Sequence, residues 1–258
     1  MTYCVGFLLE AGLVFASDSR TNAGVDYISS YSKMHVFQPA EDRLFVLLTA
    51  GNLATAQAVL NRIRRDLDRH AEQEEPRPPV AGSKPDLHSA RYLFEAADYV
   101  GRLSVAVQEE VGPTLRQTGA SAEVSFILGG QIAGQSHGLY LIYPQGNAIM
   151  ATTETPFLQI GESKYGKPPL DYIGHTGLSL EDAARLCLVS QIVTRRSNLT
   201  VGPPFEIALM PADELRVSRR LKLEKENSQV TRSMEIWARN MQETLTKLPR
   251  FQWEEDPL

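Results

Sequence analysis

Residues 2–18 read TYCVGFLLEAGLVFASD, and the rest of the predicted architecture is built around this stretch. Two compact apolar runs, Thr2 to Leu9 and Leu13 to Ser17, flank the turn Ala11-Gly12. Apolar runs of this length on either side of a glycine-containing turn are typical of a β-hairpin. The stretch therefore predicts an antiparallel sheet that begins almost at the first residue of the chain.

Blocks of strands and helices follow this hairpin. Apolar residues recur at helical spacing in three ranges, 53–69, 90–110 and 180–196. Each of these ranges predicts an amphipathic helix with one face on a sheet. Short apolar runs predict six further strands, at 34–37, 44–49, 122–128, 139–143, 147–152 and 205–210. This order indicates helical layers that cover sheets.

Two segments differ from these blocks. Residues 71–88 are acidic and then rich in proline, which predicts an exposed loop inside one domain because apolar periodicity resumes directly afterwards. Residues 211–258 predict a C-terminal strand and helix extension, and the helix carries one apolar stripe along 228–248. The whole chain, 1–258, is expected to form a single domain. The stripe either closes that domain or docks a neighbouring subunit.

The composition argues against several classes of protein. A formal net charge of −5 gives no electrostatic reason to expect nucleic acid or an anionic membrane as a partner. No run approaches the roughly 20 apolar residues of a membrane span, and no basic segment precedes Val5 to Leu9 as in a secretory signal. Cys4, Cys187 and the five histidines show no metal-ligand spacing. We therefore expect a cytoplasmic protein with no metal and no cofactor.

Thr2 is the first residue whose chemistry points to a function. A threonine hydroxyl is a poor nucleophile unless a base removes its proton. Once Met1 is removed, the α-amine of Thr2 can act as that base, since its ordinary pKa of about 7.7–8.0 leaves a useful fraction neutral near pH 7. Many chains begin Met-Thr, so this dipeptide carries weight only together with other residues.

Four such residues are present. Asp18 follows the second strand of the hairpin and Lys33 precedes the next strand, so the pair can hold a cation beside the α-amine and favour its neutral form. Gly51 lies where a strand gives way to a helix, which leaves its N–H available to a developing oxyanion. Thr49 faces the same side of that strand and is expected to line a substrate pocket.

These motifs resemble the proteasome β-subunit pattern of the N-terminal nucleophile hydrolases. The similarity extends across residues 2–210 and rests on Thr2 with ASDSR at 16–20, SKM at 32–34 and TAGN at 49–52. Two longer stretches, GLVFASDSRTNAGVD at 12–26 and TRRSNLTVG at 194–202, are most similar to the bacterial ancestral β-subunit family, Anbu. The resemblance implies an α+β fold: a four-layer αββα sandwich with two central antiparallel sheets and a C-terminal helical extension.

The resemblance also implies a role for each matching residue. Thr2 corresponds to the nucleophile and general base, supported by the pair Asp18 and Lys33. Gly51 corresponds to the oxyanion donor.

Four more positions match residues around the reaction centre of that family. Ser163 and Ser197 correspond to serines that hydrogen-bond the terminal amine, and Thr21 and Thr49 to residues near the substrate pocket. One corner departs from the pattern, because related ring proteases commonly carry Asp-x-x-Ser-Gly where this chain has TRRSN at 194–198. The missing carboxylate weakens the case for efficient general proteolysis.

Two functions are consistent with these residues. The first is a threonine peptidase or amidase that cleaves peptide or related amide bonds through an acyl-Thr2 intermediate. The second is a non-catalytic assembly protein that uses its tail to build an oligomer. Both imply a homo-oligomeric ring or helical assembly, and the sequence does not predict whether an ATPase partner exists. The enzyme is favoured, because inactive members of this fold usually lack the threonine or the lysine.

Overall fold

The predicted hairpin is present at the start of the chain. The structure is a computed structural model that describes residues 1–22, 28–72 and 84–254. Strands β1 (Tyr3–Leu9) and β2 (Gly12–Asp18) pair antiparallel, with Cys4 opposite Ser17 and Leu8 opposite Leu13. Both strands are almost entirely buried, as expected for apolar runs in the middle of a layered protein.

Two small strands and a second large sheet follow. β3 (Arg20–Asn22) and β4 (Ile28–Ser30) pair with each other. The second sheet is antiparallel and is formed by β5 (Met34–Ala40), β6 (Arg43–Gly51), β7 (Val124–Ile132), β8 (Gly138–Ile142) and β9 (Ala148–Met150), in that order.

The first sheet is completed by strands from the second half of the chain. These are β10 (Phe157–Gly161), β11 (Phe205–Pro211) and β12 (Arg219–Leu223), and the sheet order is β10-β1-β2-β11-β12. The hairpin therefore lies at the centre of a sheet whose outer strands come from residues more than 100 positions away.

Helices cover the outer face of each sheet. Helices α1 (Leu53–Ala71) and α2 (Leu93–Gln117) pack on the second sheet, and α3 (Ser163–Ile173) and α4 (Leu180–Ser197) cover the first. The helices predicted at 53–69, 90–110 and 180–196 are confirmed, although α2 begins later and continues past Pro113. No helix in the described ranges is long and apolar enough to cross a membrane.

The core has three parts, which correspond to the contacts between four layers. One part lies between α1, α2 and the second sheet, and another between the first sheet and the helices that cover it. The third lies between the sheets, where Phe15 of β2 and Ile127 of β7 are fully buried. The αββα sandwich of two antiparallel sheets is thus confirmed.

The sequence did not predict α3. This short helix contains Pro168 and Pro169, neither of which can donate a backbone N–H to the carbonyl one turn earlier. Packing against α4 stabilises it instead, through the buried residues Gly166 and Leu170. Of the loop predicted at 71–88, residues 73–83 lie outside the described residues.

The C-terminal extension contains β12, a final α-helix and one 3₁₀ turn. β12 pairs with β11, and α5 (Ser228–Leu245) contacts α4, with Val230 buried between them. The predicted apolar stripe continues along the other turns of α5, where Met241 and Leu245 are 60% and 69% exposed. In the part of the chain that the structure describes, Val230 is buried and Trp237 is half-buried, while the rest of the stripe is exposed. A 3₁₀ turn follows at Gln252–Glu254.

Candidate active site

Thr2 is fixed at the entrance to the first sheet by hydrogen bonds on both sides. The N–H of the next residue, Tyr3, donates to Oδ1 of Asp18 on β2 at 3.0 Å. The carbonyl oxygen of Thr2 accepts a 2.7 Å bond from the N–H of Glu162, which follows β10. A Cβ atom at Gly161 would collide with that carbonyl, so glycine there lets the two chains approach each other.

Asp18 and Lys33 form a buried ion pair beside this terminus. Lys33 Nζ lies 2.6 Å from Asp18 Oδ1, and the two side chains are 5% and 0% exposed. The ammonium also donates to the carbonyl oxygen of Arg20 at 2.7 Å, and Asp18 Oδ2 accepts from the N–H of Gly202 at 3.2 Å. The pair thus connects β2, β3, the start of β5 and the loop before β11.

The charges of this pair act on nearby titratable groups. Burial raises the pKa of Asp18, while the Lys33 ammonium and the backbone N–H donors oppose that rise. The chain's terminal amine, here carried by Met1, has its pKa lowered by burial and by Lys33, against the smaller opposing effects of Asp18 and Glu162. The predicted proximity of Lys33 to the N-terminus is therefore present in the structure.

Gly51 ends β6 with an N–H that is turned away from β7. Asn52 N–H donates to the carbonyl of Glu123, directly before β7, whereas Thr49 N–H donates to the Lys33 carbonyl on the opposite side. Successive N–H groups alternate along an antiparallel strand, so the Gly51 N–H points to the same side as that of Thr49. Its φ of +123° and a collision with the Glu123 carbonyl at any added Cβ require glycine here.

Several of these groups line one cavity of about 490 Å³. Thr2 lies there together with Lys33, Gly51 and the two residues predicted for the substrate pocket, Thr21 and Thr49. The cavity is also lined by Met1, Arg20, Ala50, Leu53, Ala56 and Gly161. A hydroxyl, a terminal amine, a cation and an N–H donor that share one cavity are the groups needed for acyl transfer.

Neither a protein-family model nor a curated protein matches the chain. Several solved structures do. The Gly-1 mutant of Anbu from Hyphomicrobium sp. strain MC1 is 37% identical, with a TM-score of 0.86 over 98% of this chain and 100% of that one. Anbu from Yersinia bercovieri is 35% identical, with a TM-score of 0.82 over 97% and 100%. The chain belongs to the Anbu family. It shares the proteasome-like fold of N-terminal nucleophile hydrolases.

A third Anbu protein is described as an assembly. The helical assembly of the Anbu complex from Pseudomonas aeruginosa contains a chain that is 37% identical, with a TM-score of 0.81 over 99% of this chain and 100% of that one.

Residues 23–26 of the stretch on which the Anbu resemblance was based lie outside the described residues.

Two of the predicted site residues lie elsewhere in this Anbu chain. Ser163 is the first residue of α3 and lines a separate cavity with Glu154, Lys167 and others. Ser197 is the last residue of α4 and is exposed. Among the described residues, neither hydroxyl has a hydrogen bond to the groups around Thr2. Their assignment to the terminal amine of Thr2 stays a prediction.

The residues next to these serines, Glu162 and Asn198, are hydrogen-bonded to each other. Glu162 is only 5% exposed, and its Oε2 accepts a 2.9 Å hydrogen bond from Nδ2 of Asn198, the C-cap of α4. The sequence analysis missed both residues and noted only the missing carboxylate near Thr194. Two polar residues were the signal available in the sequence: Glu162, which directly follows Gly161, and Asn198, which ends a helix.

One other candidate, Cys4, has a structural role. Cys4 is fully buried, and burial raises the pKa of its thiol, so that it remains an unreactive core residue. Its Sγ makes a weak 3.6 Å contact with the carbonyl of Thr49. Within residues 1–22, 28–72 and 84–254, no group of three or more His, Cys, Asp or Glu side chains is arranged to hold a metal ion.

We predict strong energetic coupling between Asp18 and Lys33. Lys33→Met alone leaves a buried carboxylate without its cation, and Asp18→Asn alone leaves a buried ammonium without its anion. Each should lower the free energy of unfolding by about 3–5 kcal/mol, whereas the double variant should lose clearly less than the sum. Urea unfolding of the four proteins measures this cycle.

The exposed pair Lys167 and Asp171 provides the matched control, with side chains 53% and 45% exposed. Its coupling should be below about 1 kcal/mol. Additive losses at Asp18 and Lys33 would contradict the assignment of a mutually dependent buried pair.

Proposed function

We propose that this protein is an N-terminal threonine hydrolase that cleaves peptide or related amide bonds through an acyl-Thr2 intermediate. The observation that carries the proposal is the cavity in which Thr2, Lys33 and the Gly51 N–H meet, with Asp18 buried behind Lys33. The family supplies the fold of such hydrolases, while the activity and the roles of these residues are inferred from their chemistry.

The first step needs a base for the threonine hydroxyl. In protein without Met1, the neutral α-amine of Thr2 takes the proton from Oγ, which then attacks the carbonyl carbon of the scissile amide. The Lys33 ammonium disfavours a positive charge on the amine, so a larger fraction stays neutral and basic at neutral pH. Asp18 holds Lys33 in place through the 2.6 Å ion pair.

The second step stabilises and then resolves the tetrahedral intermediate. The negative charge develops on the former carbonyl oxygen, where the Gly51 N–H can donate to it. The protonated amine of Thr2 gives its proton to the leaving nitrogen as the C–N bond breaks. The product is an ester between the acyl group and Thr2 Oγ. Water, deprotonated by the same amine, then hydrolyses that ester.

Removal of Met1 is required by this mechanism. While Met1 is attached, the nitrogen of Thr2 belongs to a peptide bond and is not basic. Met1 also lines the cavity and occupies space that a substrate would need. Because Thr2 is small, we expect Met1 to be removed in the cytoplasm, where we place the active protein.

One observation agrees with the alternative function as well as with a hydrolase that assembles. Among the described residues, most of the apolar stripe of α5 is exposed, as expected of a subunit whose C-terminal helix helps to build an assembly. Assembly and hydrolysis do not exclude each other. The alternative, a non-catalytic assembly protein, differs only in that Thr2 would never act as a nucleophile.

We predict that Met1-free protein reacts with a peptide epoxyketone at Thr2. The reagent forms a ring adduct only where a hydroxyl and a free α-amine belong to the same residue. Thr2→Ser keeps both groups and should be labelled, whereas Thr2→Ala should not. Intact mass spectrometry measures the adduct. All three proteins carry a small second residue, so Met1 should be removed from each.

Protein that retains Met1 is the second control and should stay unlabelled. If Met1-free protein with a normal assembly state resists epoxyketones with varied side chains, the proposed hydrolase function is wrong and the protein is the non-catalytic assembly protein.

We also predict that the protein is a homo-oligomer of several subunits. Exposed apolar residues along one side of α5 favour burial against another chain, and a helical assembly is described for the Anbu complex of P. aeruginosa. Head-to-tail contacts close into a ring only if the rotation between subunits divides a full turn, and otherwise form a helix. Light scattering at micromolar concentration should give several times the mass of one chain, and a monomeric mass would contradict the prediction.

A further inference from the structure

The buried carboxylate of Glu162 has no part in the reaction as described so far. Glu162 is 5% exposed, and its Oε2 accepts from Asn198 Nδ2 at 2.9 Å. Its other oxygen, Oε1, lies 3.9 Å from the ammonium of Lys164, a side chain that is 72% exposed. Such a solvated and distant cation satisfies a carboxylate only weakly. Among the described residues Oε1 has no hydrogen-bond donor, so this oxygen of an almost buried side chain can accept one more.

The orientation of Asn198 is fixed, which in turn fixes the Glu162 contact. Asn198 Oδ1 accepts from the N–H of Thr200 at 3.0 Å and from its hydroxyl at 2.6 Å. A backbone N–H can only donate, so the atom that faces Thr200 must be the amide oxygen. The amide nitrogen therefore faces Glu162, and it donates to Oε2 rather than to Oε1.

The backbone of Thr2 directs its nitrogen toward Glu162. The register of β1 and β10 places Tyr3 opposite Gly161, and therefore Thr2 opposite Glu162. Tyr3 N–H points to Asp18 on the other side, while the Thr2 carbonyl accepts from Glu162 N–H at 2.7 Å. In an antiparallel ladder, the N–H and C=O of one residue point to the same neighbouring strand. The α-amine of Thr2 consequently emerges on the Glu162 side.

We propose that the Glu162 carboxylate accepts a hydrogen bond from the α-ammonium of Thr2 and holds the proton that the amine has taken from the hydroxyl. Glu162 is thus a positioning residue: it remains a carboxylate throughout, while the proton moves from Oγ to the amine and then to the leaving nitrogen. The role of Glu162 in the reaction rests on the proposed hydrolase function, whereas its contact with the amine can be tested without that function.

Glu162 and Lys33 act on the amine in opposite directions. The Lys33 ammonium favours the neutral amine that starts the reaction, and the Glu162 carboxylate favours the ammonium that forms during it. The pKa of the Met1 amine, one residue earlier in the chain, is lowered first by burial and then by Lys33, and Glu162 raises it by a smaller effect. Removal of Glu162 should therefore make the amine easier to deprotonate and its protonated form less stable.

The test follows the amine itself rather than substrate turnover. Periodate cleaves the Cα–Cβ bond of an N-terminal threonine whose amine is neutral, and gives a glyoxylyl terminus, acetaldehyde and ammonia. The rate is measured against pH by intact mass, with Met1-free protein at its normal assembly state. The midpoint is the pH at which the rate reaches half of its maximum, where half of the amine is neutral. We expect the midpoint for Glu162→Gln to lie at lower pH than for the wild type, so that the variant reacts several-fold faster at acidic pH.

Gln is informative at this position, because its oxygen can still accept from Asn198 while its NH₂ group faces the amine as a donor. Lys33→Met should move the midpoint in the opposite direction. Glu206→Gln removes a carboxylate that is equally buried, at 4% exposure, but is held by Ser19 and Arg220. It should leave the midpoint unchanged.

A Glu162→Gln midpoint equal to or above that of the wild type would overturn the proposal. If this variant does not fold, Glu162→Asp keeps the charge but withdraws it by one methylene, and its midpoint must then lie below that of the wild type. A wild-type midpoint for the Asp variant would equally overturn the proposal. If the periodate midpoints shift as expected but the protein hydrolyses no substrate, the proposed hydrolase is wrong and the Glu162 contact is kept.

Discussion

The buried ion pair between Lys33 and Asp18 is the interaction on which the rest of the site depends. Two charges that are almost completely shielded from water are stable only while each has the other, and while further donors and acceptors satisfy the remaining atoms. Those partners come from the Tyr3 N–H, the Gly202 N–H and the Arg20 carbonyl. The N-terminus, the β3 edge and the loop before β11 are therefore held around one point.

The pair also explains why the N-terminus can be a reactive group in this fold. Asp18 binds the backbone of Tyr3 and the ammonium of Lys33 with the same oxygen atom, so the position of the cation and the position of Thr2 are set together. Glu162 fixes Thr2 from the opposite strand through its N–H. Burial and the Lys33 ammonium lower the pKa of the terminal amine, here that of Met1, while Asp18 and Glu162 oppose them with smaller effects.

Local sequence patterns predicted much of the fold and the centre of the site. The hairpin follows from two apolar runs that are almost entirely buried. Helices α1 and α4 follow from periodicity because each buries one continuous face, and Gly51 follows from the strand-to-helix junction. The helix α3 could not be predicted in this way, since Pro168 and Pro169 contradict its local preference and only packing on α4 forms it. Glu162 was missed because its contact with Thr2 depends on the register between strands that are more than 140 residues apart. Ser197 was preferred to Asn198 by resemblance, yet the helix turns Ser197 outward and its C-cap inward.

The central claim is that the Thr2 hydroxyl forms an acyl ester that water then resolves. Its most direct test is exposure of Met1-free protein to a β-lactone, with the site of acylation mapped by tandem mass spectrometry and its decay followed over time. The account predicts one acyl group on Thr2 Oγ that disappears in water and regenerates the original mass. Acylation at another side chain, or none with β-lactones of varied side chain, would contradict it.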